Sequence, residues 1–166
     1  MNKYSKLTQT AVTNFIYCGK KWLFLKRGPN KKIDANKLNG VGGRLEENET
    51  FLDACIRETK EETGYIVDKK DITLSGVVRL IGGYEVNWVM CFFRTKVNSI
   101  KIPTPPNKED GKLVWINQEE IKMQKFELVD DINYCFEKII DKNEPFFMNA
   151  KLNNNQKITN YSINNL

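Results

Sequence analysis

The most informative segment of the chain is residues 43–65, which have the sequence GRLEENETFLDACIRETKEETGY. Thr50 with Asp53 three residues later resembles a capping box, in which polar side chains close the first turn of a helix. Gly64 is a suitable C-terminal cap, because glycine adopts the left-handed backbone conformation without a steric cost. These signals predict a helix of about three turns. One stripe of this helix consists of Leu52, Cys55, Ile56 and Thr59.

Three carboxylates lie within one turn of the predicted helix. Glu58, Glu61 and Glu62 are spaced i, i+3 and i+4, so their side chains project from one face. Like charges at this spacing repel one another by roughly 0.2–0.5 kcal/mol per pair, unless a cation compensates them. Carboxylate ligation selects hard ions such as Mg²⁺, which is commonly held by a few carboxylates together with substrate phosphate oxygens. The cluster therefore indicates a metal site beside a phosphate-bearing substrate.

Two further features surround the carboxylates. Gly40, Gly42 and Gly43 precede the helix, and glycine lets the backbone approach a phosphate or offer a carbonyl oxygen to a metal ion. Arg57 follows Glu49 by eight residues, so the two side chains are placed to form an ion pair. Such a pair would fix the intervening loop to the helix.

The distribution of charge is uneven along the chain. The whole chain has a net charge of +5, yet residues 46–62 contain seven acidic and two basic residues. That segment has a net charge of −5, and the remainder of the chain has a net charge of +10. A concentrated acidic segment in a basic protein suits a cation bound beside an anionic substrate, although a solvated acidic helix face has the same composition.

Composition excludes several classes of function. The chain contains no histidine, which excludes histidine-dependent catalytic triads, histidine zinc sites and imidazole acid–base chemistry. The four cysteines are dispersed among apolar residues, as expected for reduced, buried thiols. The apolar runs are too short to span a bilayer and the N-terminus lacks a signal-peptide pattern, so we expect a soluble cytoplasmic protein.

Outside residues 43–65, apolar and alternating runs predict a mixed sheet. Strands are predicted over residues 8–18, 21–27, 41–45, 72–81, 84–95 and 113–116. A polar loop ends at Asn39, Asn117 caps a brief helix, a second long helix covers about residues 130–141, and a hairpin has its tip at residues 153–155. The order of elements predicts a single α+β domain over residues 1–166, with helices that flank a mixed β-sheet.

The segment at residues 43–65 resembles the Nudix box, whose pattern is G-x5-E-x7-R-E-U-x-E-E-x-G-U. Thr59 and Tyr65 occupy packing positions where the pattern prefers aliphatic residues. The resemblance implies the Nudix α/β/α sandwich. All seven fixed positions match at the required spacing, and they are Gly43, Glu49, Arg57, Glu58, Glu61, Glu62 and Gly64.

The same resemblance implies a hydrolase that cleaves a nucleoside diphosphate linked to another group and depends on Mg²⁺ or Mn²⁺. The metal would be held by the three helix glutamates and the carbonyl of Gly42. Glu49 and Arg57 would form the structural pair of the catalytic site. One of the helix glutamates, for example Glu58, would accept a proton from the attacking water.

Residues 37–45 resemble the W-N-G-x-G-G-K-[VI] run of MutT-type members, which clear oxidised purine triphosphates. Leu38 replaces the tryptophan of that run. The resemblance implies that Asn39 hydrogen-bonds the purine, and Gly43 would let the backbone approach the substrate.

Residues 128–131 resemble the W-P-D-D run of a family member that hydrolyses oxidised purine triphosphates. The resemblance implies that Asp130 and Asp131 recognise the base, whereas the alternative interpretation is that they only cap the second helix. Asp110, or its neighbour Glu109, lies where many members carry a further metal-binding glutamate.

The aromatic residues have two interpretations. Trp22, Trp88 and Trp115 lie in predicted strands and are expected in the core, while Tyr84 and Trp88 are the best candidates for stacking on a base. The basic side chains that could meet a triphosphate are Lys21, Lys26, Arg27 and Arg79.

The leading hypothesis is a MutT-like nucleoside triphosphate pyrophosphohydrolase that converts 8-oxo-dGTP to 8-oxo-dGMP and pyrophosphate. The alternatives are a Nudix hydrolase of ADP-ribose, of a dinucleoside polyphosphate or of a capped RNA end, and a nucleotide sensor without turnover. The expected partner is a small-molecule nucleotide, with no membrane and no stable nucleic-acid partner. We expect a monomer or a homodimer.

Overall fold

The computed structural model describes residues 6–104, 111–141 and 144–165 of the chain. The strands are β1 (Thr8–Cys18), β2 (Lys21–Arg27), β3 (Leu38–Asn39), β4 (Val41–Arg44), β5 (Ile72–Gly82), β6 (Asn87–Lys96), β7 (Gly111–Asn117), β8 (Phe146–Leu152) and β9 (Ile158–Asn165). The helices are α1 (Phe51–Thr63), α2 (Gln118–Lys122) and α3 (Asp130–Ile140), with a short 3₁₀ helix at Lys69–Asp71.

The strands of the described residues form one mixed sheet with β1 near its centre. The strand order is β3-β2-β1-β6-β5-β8-β9, while β4 pairs with β1 and β7 pairs with β2. β1 is parallel to β6, and β5 is parallel to β8. The other pairs are antiparallel, which makes the sheet mixed as predicted.

Each face of the sheet is covered by one long helix. Successive residues of a strand point to opposite faces, so β1 contributes to the core on both sides of the sheet. Phe15 of β1 packs with Phe136 of α3, and their ring centroids lie 6.2 Å apart. Val12 of β1 packs with Cys55 of α1 in the other cluster. The sequence prediction of an α+β fold with helices on both faces of a mixed sheet is therefore confirmed.

Both predicted caps of α1 are present. The hydroxyl oxygen of Thr50 accepts a hydrogen bond from the backbone N–H of Asp53 at 3.1 Å. Gly64 has a φ of 76°, in the left-handed region, and its N–H donates to the carbonyl oxygen of Lys60 at 2.8 Å. These caps fix the ends of the helix that carries the three glutamates.

A buried hydrogen-bonded chain ties α1 to the sheet and explains the threonine at a position where aliphatic residues are expected. The side-chain amide of Asn14 in β1 donates to the hydroxyl oxygen of Thr59 at 2.8 Å. The hydroxyl of Thr95 in β6 donates to the amide oxygen of Asn14 at 2.8 Å. All three side chains are fully buried. Thr59 is thus a polar residue with a partner in the core.

The structure differs from the sequence prediction at the edges of the cavity described below. The two-residue strand β3 lies at the end of a predicted loop, and β6 begins at Asn87 rather than at Tyr84. The side chains in the first half of β6 are partly exposed, and most of those in its second half are buried.

The cysteines match the prediction of buried thiols in part, because Cys55 and Cys135 are buried whereas Cys18 and Cys91 are partly exposed. All four cysteines are free, and burial raises the pKa of Cys55 to about 12. Burial also raises the pKa of Cys91 and of Cys135. No helix in the described ranges is long and apolar enough to cross a bilayer.

Replacing Thr59 by valine should destabilise the protein. Valine has nearly the shape of threonine but leaves the buried amide of Asn14 without its acceptor, so we expect the free energy of unfolding to fall by about 1–3 kcal/mol. Urea denaturation followed by circular dichroism measures this change. Thr59→Ser keeps the hydroxyl and serves as the control, and a Thr59→Val protein as stable as the wild type would contradict the role of this hydrogen bond.

Candidate active site

Arg57 connects α1 with β4 and with the loop between them. Its Nε and Nη2 atoms donate to the two carboxylate oxygens of Glu49 at 2.8 and 2.9 Å. Nη2 also donates to the carbonyl oxygen of Arg44, the last residue of β4, at 3.1 Å. The ion pair expected between Arg57 and Glu49 is therefore present, in the two-point geometry in which arginine binds carboxylates most strongly.

The remaining nitrogen of Arg57 faces the helix glutamates. Nη1 donates to Oε1 of Glu58 at 2.8 Å and to Oε2 of Glu61 at 3.2 Å. The hydrogen bond from Arg57 holds the pKa of Glu49 below its usual value, with help from the backbone N–H of Glu46. The hydrogen bond to Glu49 in turn raises the pKa of Arg57. Arg57 thus partly neutralises the acidic cluster.

Two glycines of β4 let the strand lie against the acidic face of α1. A Cβ atom at Gly43 would overlap the carboxylate of Glu58, and one at Gly42 would overlap the carbonyl oxygen of Val12 in β1. The N–H of Gly42 donates to Oε2 of Glu62 at 3.0 Å. Burial raises the pKa of Glu58, although the hydrogen bond from Arg57 acts in the opposite direction.

The donor set suits a hard divalent cation. Carboxylate and backbone carbonyl oxygens are the ligands that Mg²⁺ prefers in proteins. In the described part of the chain, however, no three acidic or cysteine side chains are already arranged around a common ion position. Glu58 and Glu61 instead turn toward Arg57, and the side chain of Glu61 is 58% exposed, so it can rotate without disturbing packing. The predicted ligand set stays a prediction, and Asp110 and Glu109 lie outside the described residues.

A cavity of about 330 Å³ adjoins the glutamate cluster. Gly43 lines this cavity and also contacts Glu58, so the two features share one wall. Its volume lies within the usual range for small-molecule sites. The other walls come from β1, the loop between β2 and β3, β5, the turn between β5 and β6, β6, and the start of α3.

The short strand β3 brings Asn39 and Asp131 to the same cavity. The carbonyl oxygen of Leu38 accepts from the backbone N–H of Val129 at 2.9 Å, which joins β3 to the segment that enters α3. Asn39 and Asp131 both line the cavity as a result. The side-chain oxygen of Asn39 accepts from the N–H of Gly40 at 2.8 Å, which orients the amide.

Asp130 and Asp131 have different surroundings. Asp131 lines the cavity. Its pKa is raised to about 7, mainly by burial and secondly by the charge of Asp34. Oδ2 of Asp130 accepts from the backbone N–H of Ile158 in β9 at 2.7 Å, and its Oδ1 lies 3.5 Å from Nζ of Lys157. The structure therefore places Asp131 at the cavity and turns Asp130 toward the terminal hairpin, contrary to the expectation that both meet the base.

Neither aspartate is the cap of α3. Val129 occupies the N-cap position and makes no side-chain capping hydrogen bond, while Asp130 and Asp131 lie in the first turn. Their negative charges still interact favourably with the positive end of the helix dipole. These two residues therefore interact with the helix through its dipole and do not cap its end.

The aromatic residues divide between core and cavity. Trp22 is buried in the core, as predicted, and Trp115 packs partly buried against a second cluster. Tyr84 and Trp88 line the cavity, which agrees with their selection as stacking candidates. The guanidinium carbon of Arg44 lies 5.2 Å from the centre of the Trp88 ring.

Asp34 also lines the cavity, although the sequence did not indicate it as a site residue. It lies in the predicted polar loop, where no periodic pattern or motif marked it. Of the basic residues considered for a triphosphate, Arg27 lines the cavity, and its Nε donates to the carbonyl oxygen of Ile33 at 3.2 Å.

The chain is similar to known proteins in sequence. The family model of the NUDIX domain matches residues 7–137. Oxidized purine nucleoside triphosphate hydrolase of Mus musculus is 28% identical over 138 residues, which are 83% of this chain and 81% of that protein. A Caenorhabditis elegans protein provisionally named nudix hydrolase 1 is 34% identical over 98 residues, which are 59% of this chain. The matched region spans 25% of the length of the C. elegans protein.

A solved structure has the same fold. The crystal structure of a MutT protein from Bacillus halodurans superimposes with a TM-score of 0.79 and covers 94% of this chain and 97% of that chain. Its sequence identity is 17%, so this similarity speaks for the fold alone. The match to the family model extends over most of the present chain and includes the Nudix box. The chain therefore belongs to the Nudix family of hydrolases.

Proposed function

We propose that the protein is a metal-dependent nucleoside triphosphate pyrophosphohydrolase that acts on oxidised purine nucleotides. Its substrate would be 8-oxo-dGTP, and its products 8-oxo-dGMP and pyrophosphate. The observation that carries the proposal is the wall shared by the cavity and the glutamate cluster, at Gly43. A nucleotide with its base in the cavity would extend its phosphates toward the glutamates.

The cavity has the groups that a purine base requires. Tyr84 and Trp88 supply aromatic faces, and Asn39 and Asp131 supply polar atoms for the edge of the ring. With a pKa of about 7, Asp131 at neutral pH exists both as a protonated donor and as an ionised acceptor. 8-Oxoguanine presents both N–H donors and carbonyl acceptors on its edges. The similarity to the mouse oxidized purine nucleoside triphosphate hydrolase also favours this base.

The proposal assigns roles to the residues of the cluster. Nudix hydrolases generally use divalent metal ions, and a bound Mg²⁺ would neutralise phosphate charge and lower the pKa of the attacking water. Glu58, Glu61, Glu62 and the carbonyl of Gly42 would hold it. Glu58, the candidate proton acceptor, lies against β4 and is fixed by Arg57 at 2.8 Å. Positioning and electrostatics of this kind supply most of the rate in phosphoryl transfer.

A nucleotide panel tests the proposal. The purified protein is assayed with 8-oxo-dGTP, dGTP, ADP-ribose, a dinucleoside polyphosphate and a capped RNA, each with Mg²⁺ and with a chelator, while pyrophosphate and phosphate release are measured. We expect the highest kcat/KM for 8-oxo-dGTP, release of pyrophosphate, and loss of turnover with the chelator. Preference for another compound would replace the proposed substrate, and absence of turnover on the whole panel would favour a nucleotide sensor.

Glu58→Gln should lower kcat by about two to four orders of magnitude, because loss of a positioned acid–base group typically has an effect of this size. The substitution preserves size, and the amide oxygen can still accept the hydrogen bond from Arg57, so the melting temperature should change little. Glu47→Gln is the matched control, since Glu47 lies in the same acidic segment but is exposed. Equal kcat values for the two variants would show that Glu58 does not belong to the catalytic cluster.

Asp131→Asn should make the protein more stable at alkaline pH and a poorer enzyme. The folded chain holds the Asp131 proton up to about pH 7, whereas an unfolded aspartate loses it near about pH 4. The contribution of Asp131 to stability therefore declines as pH rises from about 4 to about 7, and above pH 7 its buried charge opposes folding.

At about 1.4 kcal/mol per pKa unit, the neutral asparagine should raise the free energy of unfolding by roughly 2–4 kcal/mol above pH 7. Near pH 4 the two proteins should have similar stability. Urea denaturation at a series of pH values measures the difference. A difference that is constant with pH would contradict a raised pKa at this position, whatever the effect on kcat/KM.

A further inference from the structure

Asp34 is held at the wall of the cavity from two directions. Its Oδ1 lies 2.8 Å from Nζ of Lys37, in the same loop between β2 and β3. Its Oδ2 accepts from the hydroxyl of Tyr84, in the turn between β5 and β6, at 3.4 Å. The side chain is 6% exposed, although the loop that carries it lies at the surface. A carboxylate fixed in this way is part of the cavity rather than a mobile surface charge.

The carboxyl group of Asp131 faces the same space. Asp34 and Asp131 line the same cavity, and after burial the charge of Asp34 is the largest cause of the raised pKa of Asp131. The carboxylate of Asp130 accepts a hydrogen bond from the backbone N–H of Ile158, and Asp130 does not line the cavity. The two acids at the cavity thus come from distant parts of the chain and not from adjacent positions.

We propose that Asp34 is a specificity-determining residue that acts together with Asp131 as a two-carboxyl site for a purine edge with an N–H beside a C=O. The inference rests on the proposed function, because it concerns the base of the same nucleotide. Asp34, whose Oδ1 lies 2.8 Å from Nζ of Lys37, accepts from the ring N–H. In its protonated form, Asp131 donates a hydrogen bond to the neighbouring carbonyl. Guanine and 8-oxoguanine have such edges, whereas adenine does not.

The groups around Asp131 determine how this site responds to pH. Besides Asp34, they are Arg27 of β2, Tyr84 of the turn between β5 and β6, and Asp130 and Cys135 of α3 itself. The charges of Asp34 and Asp130 both raise the pKa of Asp131, and that of Asp34 has the larger effect. Removing the charge of Asp34 should therefore lower the pKa of Asp131.

The test measures base preference by equilibrium binding. Calorimetric titration with 8-oxo-dGMP, dGMP and dAMP gives the affinity ratios of the wild type, Asp34→Asn and Asp130→Asn. Asparagine suits position 34, because the φ of 54° lies in the left-handed region that asparagine tolerates. Asp130→Asn is the matched control, since it changes the acid next to Asp131 that the structure turns away.

We expect the wild type to bind both guanine-type monophosphates more tightly than dAMP. Asp34→Asn should reduce that ratio about tenfold or more, as expected when a buried polar partner loses its complement, and Asp130→Asn should keep it. The pH at which the ratio changes should move to lower values in Asp34→Asn. Asp34→Glu displaces the carboxylate by one methylene and should also reduce the ratio, which preserves the test if the asparagine variant does not fold.

Binding of monophosphates requires no turnover, so this experiment is independent of the hydrolysis assay. A protein that fails to hydrolyse triphosphates but shows the expected ratios would overturn the proposed function and support the two-carboxyl site. An unchanged ratio in Asp34→Asn, an equal loss in Asp130→Asn, or a wild type without preference over dAMP would overturn the two-carboxyl site.

Discussion

The two-point ion pair between Arg57 and Glu49 is the constraint on which the site depends. Through it, the loop after β4 is fastened to the helix, and the third contact, to the carbonyl oxygen of Arg44, fixes the end of the strand. Without this arginine, three glutamates on one helix face would repel one another and the glycine strand would have no fixed position beside them. Arg57 thus organises the acidic cluster and limits its charge at the same time. Because one guanidinium has both roles, a lysine, with a single ammonium, could not replace it geometrically.

The core beneath the site supports the same arrangement through different chemistry. Asn14, Thr59 and Thr95 connect β1, α1 and β6 by hydrogen bonds that apolar side chains could not make. Such bonds are directional, so they fix the rotation of α1 on the sheet more narrowly than apolar packing alone. The direction in which the glutamates point is therefore set from inside the core as well as from the surface.

The fold and the glutamate cluster could be predicted because the relevant information is local. Helix caps and the spacing of Glu58, Glu61 and Glu62 depend on a single helix, which the sequence specifies directly. The cavity depends on pairings between distant segments. β3 has two residues and shows no periodicity, yet its bond to Val129 brings Asn39 beside Asp131. Likewise, the orientation of Asp130 depends on the backbone of Ile158, and no feature of residues 128–131 indicates that partner.

The helix that carries the glutamates and the loop that carries Asp34 are held in different ways. The glutamates belong to a capped helix anchored by Arg57, where most substitutions would disturb several contacts at once. Asp34 belongs to a surface loop, and its carboxylate is held by Lys37 and by the hydroxyl of Tyr84. Substitutions in that loop should therefore disturb the fold less than substitutions on α1. Asp131 lies between these extremes, because its burial raises its pKa and makes its ionised form unfavourable in the folded chain. The same burial that makes its ionised form unfavourable would strengthen each hydrogen bond that its carboxyl group makes in the cavity.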